Sequence, residues 1–211
     1  MAWFREARFG MFVHWGLYSG LAGTWNGKPV GTRGGMEWIQ NRVKADTDTY
    51  AAAALPLFKP KPGFAREWAR LAKNAGCRYL VFTTKHHDGF ALHDSQVSEF
   101  DAGSVLQRDL AKEIVAACRA EGLRVGFYHS VIDWHHDQYE YAKSQQLPHP
   151  LKGQPYPNGE REHAKYQDYL AAQVTELLSK YGRVDVLWWD YSALDFQGQE
   201  AWRAFDLLRL A

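Results

Sequence analysis

The sequence predicts an α/β domain built on a parallel sheet, and three observations carry that prediction. Short apolar runs alternate with longer amphipathic segments, the order that threads a parallel sheet through covering helices. Each amphipathic segment between runs stops at a glycine, the residue best able to take the left-handed turn that ends a helix. Each apolar run closes on polar or aromatic residues at its C-terminal end.

The elements follow in order. "FGMFVHW" reads as the first strand, and a long connection leaves it, with helix-like pieces near "MEWIQNR" and "TDTYAAAALPLF". "PGFAREWARLAKNAG" places Phe64, Trp68, Leu71, Ala72 and Ala75 on one helical stripe, behind Pro62 and ahead of Gly76. "LAKEIVAACRAEG" repeats the design with Leu110, Ile114, Ala117 and Cys118, ending at Gly122. "YQDYLAAQVTELLSKYG" does so again, ending at Gly182. The runs that follow these glycines, "CRYLVFTT", "LRVGFYHS" and "RVDVLWWD", are apolar enough to be strands buried on both faces. "PHPLKGQPYPNGERE" reads as a surface loop, because its prolines and glycines block regular structure. "EAWRAFDLLRLA" reads as a last helix.

Four strands are clear, whereas a (β/α)8 barrel needs eight and typically about 250 residues. Pattern alone therefore leaves two architectures: a complete doubly wound domain, or the first half of a barrel. No internal repeat, low-complexity segment or second domain is visible, so residues 1–211 are read as one unit.

Composition narrows the partners. Lys and Arg number 25 against 24 Asp and Glu, so no basic footprint for nucleic acid or a membrane surface exists. The start "MAWFREARFGMF" lacks the basic and apolar regions of a signal peptide, and no apolar run approaches membrane-spanning length. The chain as given reads as cytoplasmic, with export left open should a leader precede it. Cys77 and Cys118 lie in apolar surroundings without metal-type spacing and read as buried free thiols. Nine Trp and eleven Tyr supply flat faces with a polar handle, which suit a site that grips sugars, although most rings are expected to fill core.

The chemistry gathers at the strand ends. "KHHDGF", residues 85–90, sets a cation, two imidazoles and a carboxylate directly after an apolar run. His14-Trp15, His129-Ser130 with Asp133-Trp134, and Asp190-Tyr191 end the other three strands. In a barrel that is the face of the active site. Asp190, beside Trp188 and Trp189, is placed to act as a nucleophile or general base; the plainer alternative is a helix cap or ion-pair partner. His86 and His87 are neighbours, so strand alternation predicts that one points inward and the other elsewhere. Zinc is their obvious rival role, but neither HExxH nor H-x-H occurs, and hydrogen bonding of neutral imidazoles to hydroxyls fits better. No metal is therefore expected. Phe12 lies two residues before His14, on the same side of the pleat. Glu37, beside Trp38 in the long connection, reads on its own as an exposed acid, and Tyr128 as a core tyrosine with a satisfied hydroxyl.

"WFREARFGMFVHWGLYS", "MEWIQNR", "FTTKHHDGF", "GFYHSVIDWHH" and "VDVLWWD" together resemble the α-L-fucosidases of glycoside hydrolase family 29, in that family's order and across nearly the whole chain. The resemblance implies a partial (β/α)8 barrel of about four parallel strands with helices, the N-terminal half of a catalytic domain whose C-terminal half is absent. It implies a retaining exo-glycosidase that removes terminal α-linked L-fucose from glycans without metal or organic cofactor. Carried over residue by residue, it makes Asp190 the nucleophile. It makes His14, His86, His87 and Tyr128 the sugar-gripping groups, with Glu37, Trp38 and Trp188 beside them and Phe12 facing the sugar's methyl group. The family's general acid/base and a supporting arginine come after the nucleophile strand and have no match here, which puts turnover by this chain alone in doubt. The expected partners are a fucosylated glycan or small fucoside, and either a second copy or a complementary C-terminal half. Two other functions compete: a non-catalytic fucose-binding module, and a metal-dependent hydrolase built on the histidine-rich strand ends.

Overall fold

Strands β1 (Met11–Val13), β2 (Tyr79–Lys85), β3 (Arg124–Ser130) and β4 (Val186–Asp190) pair side by side in that order. All three pairings are parallel. The coordinates are a computed structural model and describe residues 2–31, 35–142, 147–192 and 198–211. Among these residues β1 and β4 each pair with one neighbour in the sheet, so the sheet is open. Barrel-like alternation sorts its side chains. Leu80, Phe82, Val125 and Phe127 point to the helices and are buried with them in one core. On the opposite face Phe12, Val81, Gly126 and Val186 form one cross-strand row. Thr83, Tyr128 and Trp188 form the next. Gly126 has a packing reason, since a Cβ there would lie 2.9 Å from both Val81 Cγ2 and Val186 Cβ.

Three principal helices cover the outer face: α1 (Phe64–Asn74), α2 (Leu110–Ala120) and α3 (His163–Lys180). The glycines predicted to end them, Gly76, Gly122 and Gly182, adopt φ of 82°, 71° and 66°, left-handed values that side chains resist. Asp109 caps α2 by accepting from the Lys112 N–H at 2.8 Å. Helix α3 buries Tyr166, Leu170 and Val174 against Val131, Ile132 and Trp134, a second core beside the first. The α1 stripe differs from the predicted one. Phe64, Ala65, Ala69 and Ala72 are buried and Trp68 partly so, whereas Ala75 is exposed and Leu71 is 58% exposed. The helix meets the sheet along its alanines, which permit close approach, and turns the Leu71 flank to solvent.

The long connection after β1 contains the expected helical pieces, a 3-10 turn at Met36–Trp38 running into Ile39–Val43, and Thr47–Ala54 capped by Asp46. A hairpin of Thr24–Trp25 with Lys28–Pro29 was not foreseen. Its signal is the dipeptide Asn26-Gly27, both at positive φ, the conformation that two-residue hairpin turns need. The predicted last helix is two, Gly198–Trp202 and Ala204–Leu210, broken at Arg203 with φ of 50°. Arg203 is held there by an ion pair with Asp168 of α3. Residues 148–162 form turns, as their prolines and glycines predict. Cys77 and Cys118 are free and buried. No helix of the described residues is long and apolar enough to cross a membrane.

Candidate active site

The polar strand ends converge. Asp190, the last residue of β4, sits opposite Ser130, the last of β3. The Tyr128 hydroxyl donates to Asp190 Oδ2 at 2.6 Å. The Tyr191 N–H donates to Oδ1 at 2.9 Å, from a left-handed backbone with φ of 60°. His87 Nε2 lies 3.5 Å from Oδ2. The Asp190 side chain is 33% exposed, so it is gripped from behind and open in front.

Aromatic rings wall this carboxylate. His86 lies parallel to Tyr128, 8° between planes with centroids 5.4 Å apart. His14 is 4.9 Å from Tyr128 and stacks on Phe12 at 5.2 Å. Phe12 meets Trp188 edge-on at 5.4 Å, and these two rings remain 39% and 52% exposed. Trp38 closes the other side, 5.2 Å from His87 and 5.6 Å from Tyr191. Glu37 is partly buried, with its carboxylate against Gly35. Its charge is one of the influences, after burial and Asp190, that hold the Tyr128 phenol above the ordinary tyrosine range.

Both adjacent histidines face the site, contrary to the alternation expected of a strand; their centroids are 4.2 Å apart. The strand ends at Lys85, and residues 86–89 turn, so the two-residue period no longer applies. Burial keeps the pair neutral. It drives the His87 pKa down to about 3 against the opposing pull of the Asp190 charge. His86 is held well below the ordinary value by burial, with His87 and His14 adding to it. His86 Nδ1 has no hydrogen-bond partner among the described residues. The donor atoms of His86, His87 and Asp190 come within 4.8 Å of one another, an arrangement able to hold a metal ion.

The remaining polar groups of residues 85–90 support the site from beneath. Lys85 Nζ pairs with Asp133 at 2.9 Å, both side chains fully buried. Asp133 in turn accepts from the His135 and His136 N–H groups at 2.9 and 2.8 Å. Asp88 accepts from the Tyr50 hydroxyl at 3.0 Å and the Phe90 N–H at 3.2 Å, and burial pushes its pKa up to about 7. Ser130, Trp134 and Tyr191, noted in the sequence as strand-end residues but given no role there, also belong to the site. Their signal was position alone: each lies at or just past a strand's C-terminal end.

A buried imidazole pair, a phenol and stacked rings surround one half-open carboxylate, all gathered at the C-terminal ends of parallel strands, the face on which barrel-type domains carry their sites. Comparisons supply the class. The α-L-fucosidase family model matches residues 1–209, and the chain belongs to that family. Tissue α-L-fucosidase of Mus musculus is 36% identical over 156 residues, covering 65% of this chain and 32% of its own length. The chain thus spans about a third of the curated relatives it matches. The structure of α-L-fucosidase isoenzyme 1 from Paenibacillus thiaminolyticus superposes with a TM-score of 0.85 at 38% identity, over 99% of this chain and 46% of that one. A family 29 α-L-fucosidase from Bacteroides thetaiotaomicron, solved as a covalent intermediate trapped with 2-fluoro-fucosyl fluoride, gives 0.81 at 32% identity, over 99% and 46%. The four-strand sheet and its helices therefore correspond to the N-terminal half of a fucosidase barrel domain.

Proposed function

We propose that this chain carries the sugar pocket and nucleophile of a retaining α-L-fucosidase that removes terminal α-linked L-fucose from glycans. The observation that carries the reading is the convergence of Tyr128 and His87 on a half-open Asp190. Two hydrogen bonds aim the carboxylate while leaving its outer side free to attack. In the first step an Asp190 oxygen bonds to the anomeric carbon as the glycosidic bond breaks and a second carboxyl group, about 5–5.5 Å away in retaining enzymes, protonates the leaving oxygen. Water then reverses the geometry and frees the sugar. Fucose needs hydroxyl partners on one side and apolar surface for its methyl group on another. His14, His86 and His87 supply the first, with Glu37 and Trp38 beside them, and Phe12 and Trp188 the second. The resemblance places the general acid/base after Asp190 in sequence, so turnover is expected to need a complementary C-terminal half.

The test is release of aryl alcohol from an aryl α-L-fucoside, with mass mapping after 2-fluoro-fucosyl fluoride treatment of the chain supplied with a family C-terminal half. Label on Asp190, absent in Asp190→Ala, is the expected result; label elsewhere would sink the assignment. Fucose binding with no product under any pairing would favour a non-catalytic sugar-binding module. The His86, His87 and Asp190 grouping supports one further reading, a metal-dependent hydrolase, which loss of hydrolysis on chelation would favour.

A further inference from the structure

The structure assigns Ser130 as the positioning residue that decides which ring nitrogen of His87 carries the proton, so that His87 offers the site a bare Nε2 able to accept a hydrogen bond from a sugar hydroxyl. Ser130 is fully buried, and its Oγ has three polar neighbours among the described residues. These are His87 Nδ1 at 2.7 Å, the Ile132 carbonyl oxygen at 2.7 Å and the Ile132 N–H at 3.2 Å. A serine hydroxyl has one proton and two acceptor lone pairs. The Ile132 N–H only donates, so it occupies one lone pair. The single proton then has two claimants, the Ile132 carbonyl and His87 Nδ1.

The carbonyl prevails. Ile132 is 2% exposed, and Ser130 Oγ is the one donor to its carbonyl among the described residues. Taking the proton away would orphan a buried acceptor, which incurs its full desolvation penalty. The imidazole has an alternative, because it can carry its own proton on Nδ1 and donate to the second lone pair. Only that arrangement satisfies all three neighbours at once.

The consequence lies on the other side of the ring. With the proton on Nδ1 and the ring held neutral by burial, Nε2 presents a lone pair 3.5 Å from Asp190 Oδ2. Two electron-pair donors face each other with no proton between them. A guest hydroxyl supplies the missing hydrogen, and Asp190 is not tied up by an imidazole N–H. The Trp134 N–H fixes the His87 carbonyl at 2.7 Å, so the ring is held from its backbone as well. The identity of the guest rests on the fucose reading above; the tautomer does not.

The experiment is a two-bond 1H–15N correlation spectrum of the 211-residue chain labelled with 15N-histidine, with His87→Gln to assign the ring. In the unmodified chain His87 should show a pyrrole-type Nδ1 and a pyridine-type Nε2. Ser130→Ala should shift the population toward Nε2–H and weaken L-fucose binding about tenfold, the loss of roughly one buried hydrogen bond. Ser130→Thr should restore both, which a general packing defect would not do. A pyrrole-type Nε2 in the unmodified chain, or an unchanged pattern in Ser130→Ala, would overturn the inference. A pyridine-type Nε2 together with no response of any site histidine to L-fucose would overturn the sugar-acceptor role and the fucose reading, and leave the tautomer assignment standing.

Discussion

Tyr128 and Asp190, on neighbouring strands, are joined by a 2.6 Å hydrogen bond from phenol to carboxylate. Burial first, and the Asp190 charge second, hold the phenol protonated above the ordinary tyrosine range, so the bond survives alkaline conditions. A hydrogen bond to an ionised group is worth about 1.5–3 kcal/mol. Tyr128→Phe should therefore lower kcat/KM of the assembled fucosidase by about ten- to a hundredfold. Steady-state kinetics on an aryl α-L-fucoside, with circular dichroism to check the fold, would reveal it. An unchanged kcat/KM would mean that the phenol does not aim the carboxylate.

The proposed fucose pocket assigns a sugar contact to each of three histidines. His14→Ala, His86→Ala and His87→Ala should each weaken L-fucose binding by about 1–3 kcal/mol, the loss of a buried hydrogen bond. Titration calorimetry on each variant reads this directly. Full-strength binding in any one of them removes that histidine from the pocket.

Asp88 gives the fold a pH dependence. Its carboxyl is pushed up by burial to about 7 from an ordinary 3.8, so between these values the folded chain holds a proton that the unfolded chain has lost. Stability from this group is complete below about pH 4 and falls as pH rises through 7, by on the order of 4 kcal/mol. The buried His87, depressed to about 3, works in the opposite sense: its contribution is present above its ordinary value and falls as pH drops. Asp88→Asn mimics the protonated acid and should remove the Asp88 slope alone. Urea unfolding of both chains at pH 4 and pH 8 separates the two terms; parallel curves would place the Asp88 pKa near its ordinary value.

The open sheet predicts association. Strands β1 and β4 each pair on one side among the described residues, and unpaired edges recruit other chains. Apolar side chains accompany them: Phe12 and Trp188 on the open face, and Phe205 and Leu208 on the last helix, are 39%, 52%, 65% and 56% exposed. The isolated chain should self-associate in light scattering, or form a stoichiometric complex with a fucosidase C-terminal half, and show little fucosidase activity alone. A monodisperse, fully active monomer would contradict this.

Much of the architecture was legible because it is written locally. Gly76, Gly122 and Gly182 mark helix ends through their own backbone freedom. The buried runs before Lys85, Ser130 and Asp190 announce strands through length and apolar content. The hairpin at Asn26-Gly27 carried an equally local signal that only two flanking residues on each side confirm. The solvent-facing Leu71 was not legible, because which flank of an amphipathic helix finds a neighbour depends on where other elements pack.

The amino-acid sequence by itself determined the order of elements, the strand ends that bear chemistry and, through five motifs, the family to which the chain belongs. Tertiary structure alone decided how those ends combine. His87 and Asp190 are separated by over a hundred residues, yet their facing atoms are 3.5 Å apart, a distance fixed by the register of three parallel strands. Whether His86 and His87 share a direction depended on the chain leaving its pleat at Lys85. That Ser130 sets the His87 proton depended on a carbonyl two residues away having no other donor among the described residues. Hydrophobic period and backbone preference act over a few neighbours and can be read from a string. Hydrogen-bond accounting at a buried site sums over groups that only folding brings together.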